Sequence, residues 1–422
     1  MPKSRTITGD VGARARRIPG RGLWLLGPAL VAGVAYLDPG NVASNMTAGA
    51  RYGYLLVWIV VAGNIMAWLI QYLSAKLGVV TGQSLPEILG ERIRRPWARR
   101  AYWLQAELVA MATDIAEVIG GAVALQLLFG IPLLLGGAIT GAVSITLLVV
   151  QSRRGPRHFE FVIIGLMAII VIGFVAGLVV APPDPNAVLG GLVPHFTDSG
   201  SVLLAASILG ATIMPHAIYA HSALARDRFG DPNEPNPPSI RTLLTATRWD
   251  VTVAMVIAGS VNLAILLLAA ANLAGVDGTD SLEGAYAALN TGLGPVIATL
   301  FAVGLLASGL ASTSVGAYAG AEIMQGLLRV RIPLIARRLV TLIPALVILA
   351  LNVDPTLALV LSQVVLSFGI PFALIPLVAL TAQRRTLHDH ANRAFTTALG
   401  ILFSVLLIAL NAVLLWLVLT GA

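Results

Sequence analysis

Four residues that are costly in a membrane helix stand together in the first apolar run of the chain: Asp38, Pro39, Gly40 and Asn41. Proline lacks the N–H that would bond one turn back, and glycine weakens a helix. Hydrocarbon offers no partner to the carbonyls left free, and the charge of Asp38 is expensive at that depth. An unwound helix lining a cavity solves these problems, because the freed oxygens become cation ligands. The alternative is a plain proline kink beside an aspartate at a helix end.

A second apolar run, residues 201–225, is broken near its centre by Met214, Pro215 and His216. Paired interruptions in corresponding segments of two halves point to a transporter site between repeated halves. The imidazole of His216 is suited to proton transfer. A methionine usually fills space in a core, but a thioether facing a cation site favours softer transition metals over calcium and magnesium. The two breaks together therefore predict a cation site with a soft ligand.

Further polar residues lie inside apolar segments. Glu107, Asp114 and Glu117 are spaced by seven and three, so they share one helix face and cannot all be ionised cheaply. We interpret Asp114 and Glu117 as handling protons or ions, whereas Glu107 could simply be solvated near a helix end. His221 is either a second proton carrier or a hydrogen-bonded packing residue. Gln363 is the amide we expect nearest the cation site.

The elements that must position these residues are membrane-spanning helices, since 57% of the 422 residues are hydrophobic and 11% charged. An all-α polytopic membrane protein follows. The chain has no cysteine, which excludes disulfides and thiolate metal sites. Eleven spans are predicted, at about residues 23–50, 53–80, 100–128, 133–151, 159–181, 202–225, 249–273, 294–327, 337–351, 355–382 and 394–419.

Basic residues predict the orientation of these spans. Twenty-five of the 27 Lys and Arg residues fall in six alternate segments, and only Arg51 and Lys76 lie elsewhere. The positive-inside rule puts those segments and the N-terminus in the cytoplasm and the C-terminus outside, as an odd number of spans requires. The net charge of +7 is thus a topology signal, not the mark of a nucleic-acid binder. Arg337 and Arg338 are either topology anchors or partners of the carboxylates on span 3.

The order of the spans predicts an internal repeat. After a cytoplasmic tail at 1–22, residues 23–181 form a first five-helix half and residues 202–382 a second, each opened by a broken helix. Five is an odd number, so the halves have opposite orientation. A Pro-rich stretch at 227–239 is read as a flexible cytoplasmic loop, and 394–419 is an eleventh helix.

These motifs, together with the stretch Ala110–Asp114, make the chain resemble the Nramp family of proton-coupled divalent-metal transporters, in bacteria the MntH-type manganese importers. The resemblance covers residues 22–417 and implies a LeuT-like fold of five plus five helices with an eleventh. By motif it implies metal ligation by Asp38, Asn41, Met214 and the carbonyl of Ala211, joined in some states by the Ala35 carbonyl and Gln363. It also implies a proton route through Asp38, His216, Asp114 and Glu117 toward Arg338.

The function predicted is therefore symport of manganese or iron(II) with protons into the cytoplasm across the cell membrane. We expect no permanently bound cofactor and no obligate protein partner besides the lipid bilayer. Two alternatives keep the same fold: a sodium- or proton-coupled amino-acid symporter, and a magnesium-transporting relative, which should lack the methionine. An intramembrane hydrolase would need a nucleophile–base pair or a histidine zinc motif, and the sequence offers neither.

Overall fold

The computed structural model describes residues 27–154, 156–229, 238–330 and 333–420, and these residues form helices and short connections without a strand. The predicted cytoplasmic tail at 1–22 lies outside the described residues, as does most of the predicted loop at 227–239. Asp227 itself belongs to a helix, because the preceding span continues to Phe229.

The first half of the chain contains α1 (Pro28–Val34), α2 (Pro39–Tyr52), α3 (Val57–Thr81), α4 (Leu85–Arg92), α5 (Pro96–Phe129), α6 (Leu133–Arg154), α7 (Pro156–Val180) and α8 (Pro185–Gly190). The remainder contains α9 (Ser199–Thr212), α10 (Pro215–Phe229), α11 (Ile240–Asn272), α12 (Leu282–Leu293), α13 (Pro295–Leu328), α14 (Leu334–Ala350), α15 (Pro355–Ala382), α16 (Arg384–Leu387) and α17 (Ala394–Thr420). A 3₁₀ turn, Ala35–Leu37, separates α1 from α2, and a second one, His388–His390, follows α16.

Eight helical segments of the described ranges are long and apolar enough to cross a membrane, with α9 and α10 taken as one segment. The three other predicted spans correspond to the α1–α2 pair, to α6 and to α14. Each is helical where the sequence predicts it, and the apolar parts of α1 and α6 are shorter. The described residues thus contain a helix, or a pair of helices, at each of the eleven predicted spans, together with short helices that were not predicted.

Some helices extend beyond the apolar runs that predict them. Helix α11 begins at Ile240 instead of residue 249, because Ser239 caps it by accepting a hydrogen bond from the N–H of Thr242. Helix α5 begins at Pro96 instead of residue 100, with proline in the first-turn position that it favours. An apolar run marks only the part of a helix that lies in lipid, so polar ends are missed.

Each broken span is interrupted by a proline that releases one particular carbonyl. Pro39 has no N–H to donate to the carbonyl of Ala35, four residues earlier, and Pro215 has none for Ala211. Asp38 then restarts the first helix as its N-cap, its Oδ1 accepting from the N–H of Asn41 at 2.8 Å. In the second span, Ile213 and Met214 stand between α9 and α10. The two prolines thus place two backbone oxygens at the two breaks.

Close helix packing holds the breaks inside the protein. Helix α13 packs along α5 and α7, α2 packs on α11, and α10 packs on α3. Gly120 of α5 lies against Pro39, where a Cβ atom would come within 2.0 Å of the proline ring. Helix α17 packs on α15, with Ser367 Oγ 2.7 Å from Asn411 Oδ1. Asp38, Asn41 and Met214 consequently have no solvent exposure at all.

Candidate cation site and carboxylate network

The carboxylate of Asp38 is held from two directions. Its Oδ1 caps α2 through Asn41, and its Oδ2 accepts a hydrogen bond from Gln363 Nε2 on α15 at 3.2 Å. Gly40 makes this contact possible, because a Cβ atom there would lie 1.8 Å from Gln363 Nε2. Gln363 Oε1 is buried and has no hydrogen-bond partner among the described residues. Gln363 therefore lies beside the aspartate, as the sequence predicts.

The side chain of Asn41 links the two broken helices. Its Nδ2 donates to the carbonyl of Tyr36 at 2.6 Å and to the carbonyl of Ala211 at 3.1 Å. Its Oδ1 accepts from Asn45 Nδ2 at 2.9 Å. The carbonyl that Pro215 releases in the second break is thus bonded by an amide that stands beside the first break.

The two other predicted metal ligands, Ala35 and Met214, are buried at the breaks themselves. Ala35 begins the 3₁₀ turn before Asp38, and Met214 directly precedes Pro215. Among the described side chains, no three His, Asp or Glu groups are arranged to hold a metal ion. A cation bound here would accordingly need a mixed set of one carboxylate, amide and carbonyl oxygens, and a thioether.

His216 follows the second break and contacts α5. Its Nδ1 lies 3.2 Å from Thr113 Oγ1, and its buried Nε2 has no partner within the described ranges. Thr113 directly precedes Asp114 on α5. The imidazole therefore contacts the residue next to Asp114, and within the described part of the chain no hydrogen bond joins it to Asp114 itself.

Arg338 on α14 binds the two deeper carboxylates of α5. Its Nη1 is 2.6 Å from Asp114 Oδ1 and 3.4 Å from Glu117 Oε2. Its Nε donates to Ser144 Oγ at 2.9 Å, and its Nη2 donates to Thr313 Oγ1 at 3.3 Å. The sequence left Arg338 as either a topology anchor or a partner of the carboxylates on span 3. These contacts show that it is a partner of the carboxylates.

Arg337 completes the network at its outer end. Its Nε donates to Glu107 Oε1 at 3.0 Å, and its Nη1 lies 3.8 Å from Asp114 Oδ2. Glu107 is therefore paired and 8% exposed, not merely solvated. Three carboxylates face two guanidinium groups, so one negative charge remains in excess. A buried cluster with that imbalance is suited to hold a proton.

His221 belongs to a different chain of contacts. Its Nδ1 lies 2.6 Å from Gln71 Oε1, and Gln71 Nε2 donates to the hydroxyl of Tyr36. The carbonyl of Tyr36 accepts from Asn41 and, at 3.0 Å, from Asn262 Nδ2. The described contacts thus connect His221 through Gln71 and Tyr36 with Asn41 at the first break, and not with the carboxylates of α5.

Several polar partners were not predicted from the sequence. Asn45 lies one helical turn after Asn41, and this spacing was a signal that could have identified it. Thr113, Ser144 and Asn262 lie in apolar helices, and their positions alone do not distinguish them from other small polar residues of those helices. Such residues usually bond neighbouring helices, and only the tertiary structure shows that these surround the site.

Basic residues away from the carboxylates of α5 also have polar partners. Arg51 lies 2.6 Å from Asp280, and Lys76 Nζ donates to Asn392 Oδ1 at 2.8 Å. At the end of α10, Arg226 contacts three carboxylates: Glu87 at 2.7 Å, Asp227 at 2.7 Å and Glu322 at 3.2 Å. Glu322, in the last turns of α13, is thereby paired with an arginine of α10.

Known proteins of one family match this chain over nearly its whole length. The family model described as natural resistance-associated macrophage protein-like (Nramp) matches residues 29–417. A divalent metal cation transporter MntH of Mycobacterium tuberculosis is 61% identical over 398 residues, 94% of this chain and 92% of that protein. The MntH of Deinococcus radiodurans is 46% identical over 421 residues, 99% of this chain and 94% of that one.

Solved structures agree with the predicted fold. A crystal structure of the Eremococcus coleocola manganese transporter, in complex with an aromatic bis-isothiourea substituted compound, matches with a TM-score of 0.83 at 31% identity, over 93% of this chain and 86% of that one. Mhp1, a nucleobase-cation-symport-1 transporter, and MhsT in complex with L-phenylalanine each match with a TM-score of 0.59, at 15% and 13% identity. The latter two likenesses concern the fold alone, and the predicted LeuT-like architecture is confirmed.

Proposed function

Since the chain belongs to the Nramp family, we propose that it carries divalent transition-metal cations, manganese and iron(II) among them, into the cytoplasm together with protons. The observation that supports this most directly is the meeting of the two broken helices at Asn41. Its amide reaches the carbonyl of Ala211, while the carboxylate of Asp38 stands one turn of backbone away. Charge, amide oxygens and released carbonyls are thereby gathered in one solvent-free place.

Metal binding would require Asn41 to turn its amide. In the structure the amide nitrogen faces the carbonyls of Tyr36 and Ala211, and the oxygen faces Asn45. A cation cannot be ligated by an N–H₂ group, so we propose that the amide rotates to present Oδ1 and releases the Ala211 carbonyl to the metal. Met214 would add a thioether, and Gln363 an oxygen that is buried without a partner. The Ala35 carbonyl would join in some states of the cycle.

Proton coupling would follow from the electrostatics of the same site. A dication beside Asp38 stabilises the carboxylate and expels its proton. The buried Nε2 of His216 is a suitable acceptor, and Nδ1 of the same ring contacts Thr113, the residue before Asp114 on α5. The cluster of Asp114, Glu117 and Arg338 has two carboxylates and one guanidinium, so one of its carboxylates can then accept the proton. Glu107 and Arg337 would continue this route toward the cytoplasm, and His221 would act from the Tyr36 side.

The division into repeats and the orientation belong to the same proposal. Residues 23–181 and 202–382 would form the two inverted halves, residues 394–419 would add the eleventh helix, and the N-terminus would be cytoplasmic. A cysteine at Asn186, which is exposed between α7 and α9, should react with an impermeant thiol reagent from outside. A cysteine at the exposed Asp389 should not. The reverse labelling would invert the orientation, and the native chain contributes no cysteine background.

The alternatives make different demands on the site. An amino-acid symporter of this fold would present helix N-termini and hydroxyl groups to a substrate carboxylate, whereas here a carboxylate itself stands at the N-terminus of α2. A magnesium transporter would need an all-oxygen shell, for which a buried methionine at the break is a poor neighbour.

The experiment that tests the proposal is manganese uptake by the purified full chain in proteoliposomes. Asp38→Ala should abolish uptake while the protein remains folded and inserted. Asp184→Asn is the matched control, because it also removes a carboxylate but lies on an exposed turn between α7 and α8. Uptake by Asp38→Ala at the wild-type rate would refute the site assignment, and loss of uptake in the control would show that the assay reports something else.

A further inference from the structure

A groove between α3 and α11 contains none of the residues assigned above to the candidate cation site or the carboxylate network. It encloses about 540 Å³ and is lined by two tryptophans, a tyrosine, a leucine, two threonines and one arginine: Trp68, Tyr72, Leu244, Thr245, Arg248, Trp249 and Thr252. This volume is in the range of pockets that hold small molecules. Among the described residues that line it there is no acidic side chain, and the guanidinium of Arg248 is the one formal charge.

The arginine is positioned by an aromatic wall. Its guanidinium carbon lies 5.7 Å from the ring centre of Trp68, within the distance of a cation–π contact. Trp68 is itself fixed, because its Nε1 donates to Thr252 Oγ1 at 2.9 Å and its ring stacks on Tyr72 at 6.3 Å. None of the ion pairs found among the described residues includes Arg248. Among the described residues the charge is therefore held in place but has no counter-ion.

The position of this charge along the helix indicates where a counter-ion would come from. Arg248 lies eight residues after the start of α11, about 12 Å along a helix that is about 50 Å long. Since a bilayer's hydrocarbon core is about 30 Å thick, α11 overshoots it, and Arg248 falls near the edge of the core on the proposed cytoplasmic side. Lipid phosphates lie at that edge, and anionic lipids attract basic residues of the cytoplasmic face.

The apolar surface beyond the groove has the shape that such a molecule needs. Toward the membrane centre, α11 exposes Val253 and Val256 on the same side as Trp249, and α3 exposes Ile65 on the same side as Trp68. Trp68 bonds Thr252 while Asn64 lies against Gly259, so the two helices run in opposite directions and these residues continue the groove away from Arg248 on both walls. The groove thus has a positive charge at one end and an apolar surface beyond it. A phospholipid has the same arrangement, with a charged headgroup followed by an acyl chain.

We propose that this groove is a binding site for an anionic phospholipid of the cytoplasmic leaflet, with its phosphate on Arg248 and an acyl chain along Val253, Val256 and Ile65. The rings of Tyr72 and Trp249 flank the headgroup, as aromatic side chains do at membrane interfaces, whereas Trp68, near the middle of α3, lies against the guanidinium on the deeper side. The binding itself rests on none of the metal chemistry above, and only the choice of leaflet depends on the proposed orientation.

The test measures lipid retention on the purified full chain in mild detergent by native mass spectrometry. Phosphatidylglycerol and phosphatidylcholine with identical acyl chains are the two probes. Wild-type protein should retain phosphatidylglycerol in preference to phosphatidylcholine, and Arg248→Gln should reduce that preference about fivefold, the factor that corresponds to the ~1 kcal/mol of one basic residue at an anionic surface. Arg241→Gln is the matched control, because it removes the same charge from the same helix outside the groove, and it should retain the preference.

A second variant keeps the arginine in place. Thr245→Glu adds a carboxylate to the groove wall one turn before Arg248 and should remove the preference even if Arg248→Gln does not fold. Equal preference in wild type and both groove variants overturns the proposal, as does an equal loss in Arg241→Gln. Displacement of phosphatidylglycerol by millimolar inorganic phosphate would also overturn it, because the site would then take free phosphate and not a lipid.

Discussion

The guanidinium of Arg338 lies 2.6 Å from a carboxylate oxygen of Asp114, and each side chain is 1% exposed. A pair this deeply buried is costly to split, because removal of one partner leaves the other charge without compensation. The geometry also ties α14 to α5, two helices that the proposed repeats assign to opposite halves.

The first prediction concerns the stability of this pair. Arg338→Gln should destabilise the protein by about 3–5 kcal/mol, and Asp114→Asn in the same chain should recover part of that loss. Thermal unfolding of the two single variants and the double variant in detergent completes the cycle. If the losses of the single variants simply add in the double variant, Arg338 does not stabilise Asp114.

The second prediction separates proton coupling from metal binding. Asp114 is bound by Arg338 and has no hydrogen bond to Asp38, Asn41 or Gln363 in the described structure, so Asp114→Asn should weaken metal-driven acidification of the liposome lumen more than it weakens manganese affinity. Thr113→Val tests the same route without removing a charge, since Thr113 Oγ1 is the group in contact with His216. A variant that loses metal binding while proton flux persists would reverse the assignment.

The third prediction concerns Gly40. Alanine favours a helix by about 1 kcal/mol over glycine, but its Cβ atom would overlap the amide of Gln363, which holds Asp38. Steric conflict should win, so Gly40→Ala should lose manganese uptake. The Gly40→Ala/Gln363→Ala double variant has room for the methyl group and should regain folding stability relative to Gly40→Ala. Unchanged uptake in the single variant would show that the contact between Gly40 and Gln363 is dispensable.

Sequence reasoning located the breaks and the buried charges because each violates a local rule. A proline or a carboxylate in an apolar run is visible without knowledge of its neighbours, as at Asp38 and Pro215. The pairing of Arg338 with Asp114 remained an alternative, since 224 positions separate the two residues and no local pattern encodes that contact.

Other features were beyond the sequence for the same reason. The orientation of the Asn41 amide depends on Ala211, 170 positions away, and His221 joins the cation site through Gln71, 150 positions away. The short helices α4, α8 and α12 were not predicted, because their few residues do not show a clear apolar period. Their caps, such as the reciprocal bonds of Ser84 and Glu87, are readable only once the helix is known.

The fourth prediction concerns the stability of the protein in acid and rests on Glu87, in the first turn of α4 and outside the predicted membrane spans. Burial raises the pKa of Glu87, but hydrogen bonds from the Ser84 backbone and the Arg226 guanidinium outweigh that effect and hold the pKa below its ordinary value. Because the pKa is lowered in the folded state, the ionised group stabilises the protein above the unfolded value of about pH 4.3. That contribution is lost as the pH falls through the lower, folded value.

Glu87→Gln should therefore unfold at a lower temperature than wild type at neutral pH, by the equivalent of about 1 kcal/mol, and the difference should close in acid. Unfolding temperatures measured between about pH 3 and pH 7 check this. Glu91→Gln, on the next turn of α4, is the control, as Glu91 accepts from the Gln83 amide and has no arginine partner among the described residues. A constant difference across that range would contradict the assignment.

The last prediction concerns metal selectivity and rests on Met214. Calcium and magnesium are hard cations that prefer shells of oxygen, and a thioether compensates them poorly for lost water. Manganese, iron(II) and cadmium accept sulfur increasingly well. Because Met214 has no solvent exposure at the break of the second span, its sulfur would work mainly by disfavouring the more abundant alkaline-earth ions.

Met214→Ala replaces the sulfur with room for a water molecule, and so supplies an oxygen in its place. This variant should keep substantial manganese transport, lose cadmium affinity, and accept calcium or magnesium as a substrate or competitor. Manganese uptake against excess calcium, measured in wild type, Met214→Ala and the buried control Met46→Ala on α2, tests the idea. If calcium competes no better in Met214→Ala than in the control, and cadmium affinity is unchanged, then Met214 fills space beside Pro215 and the sulfur is not a ligand.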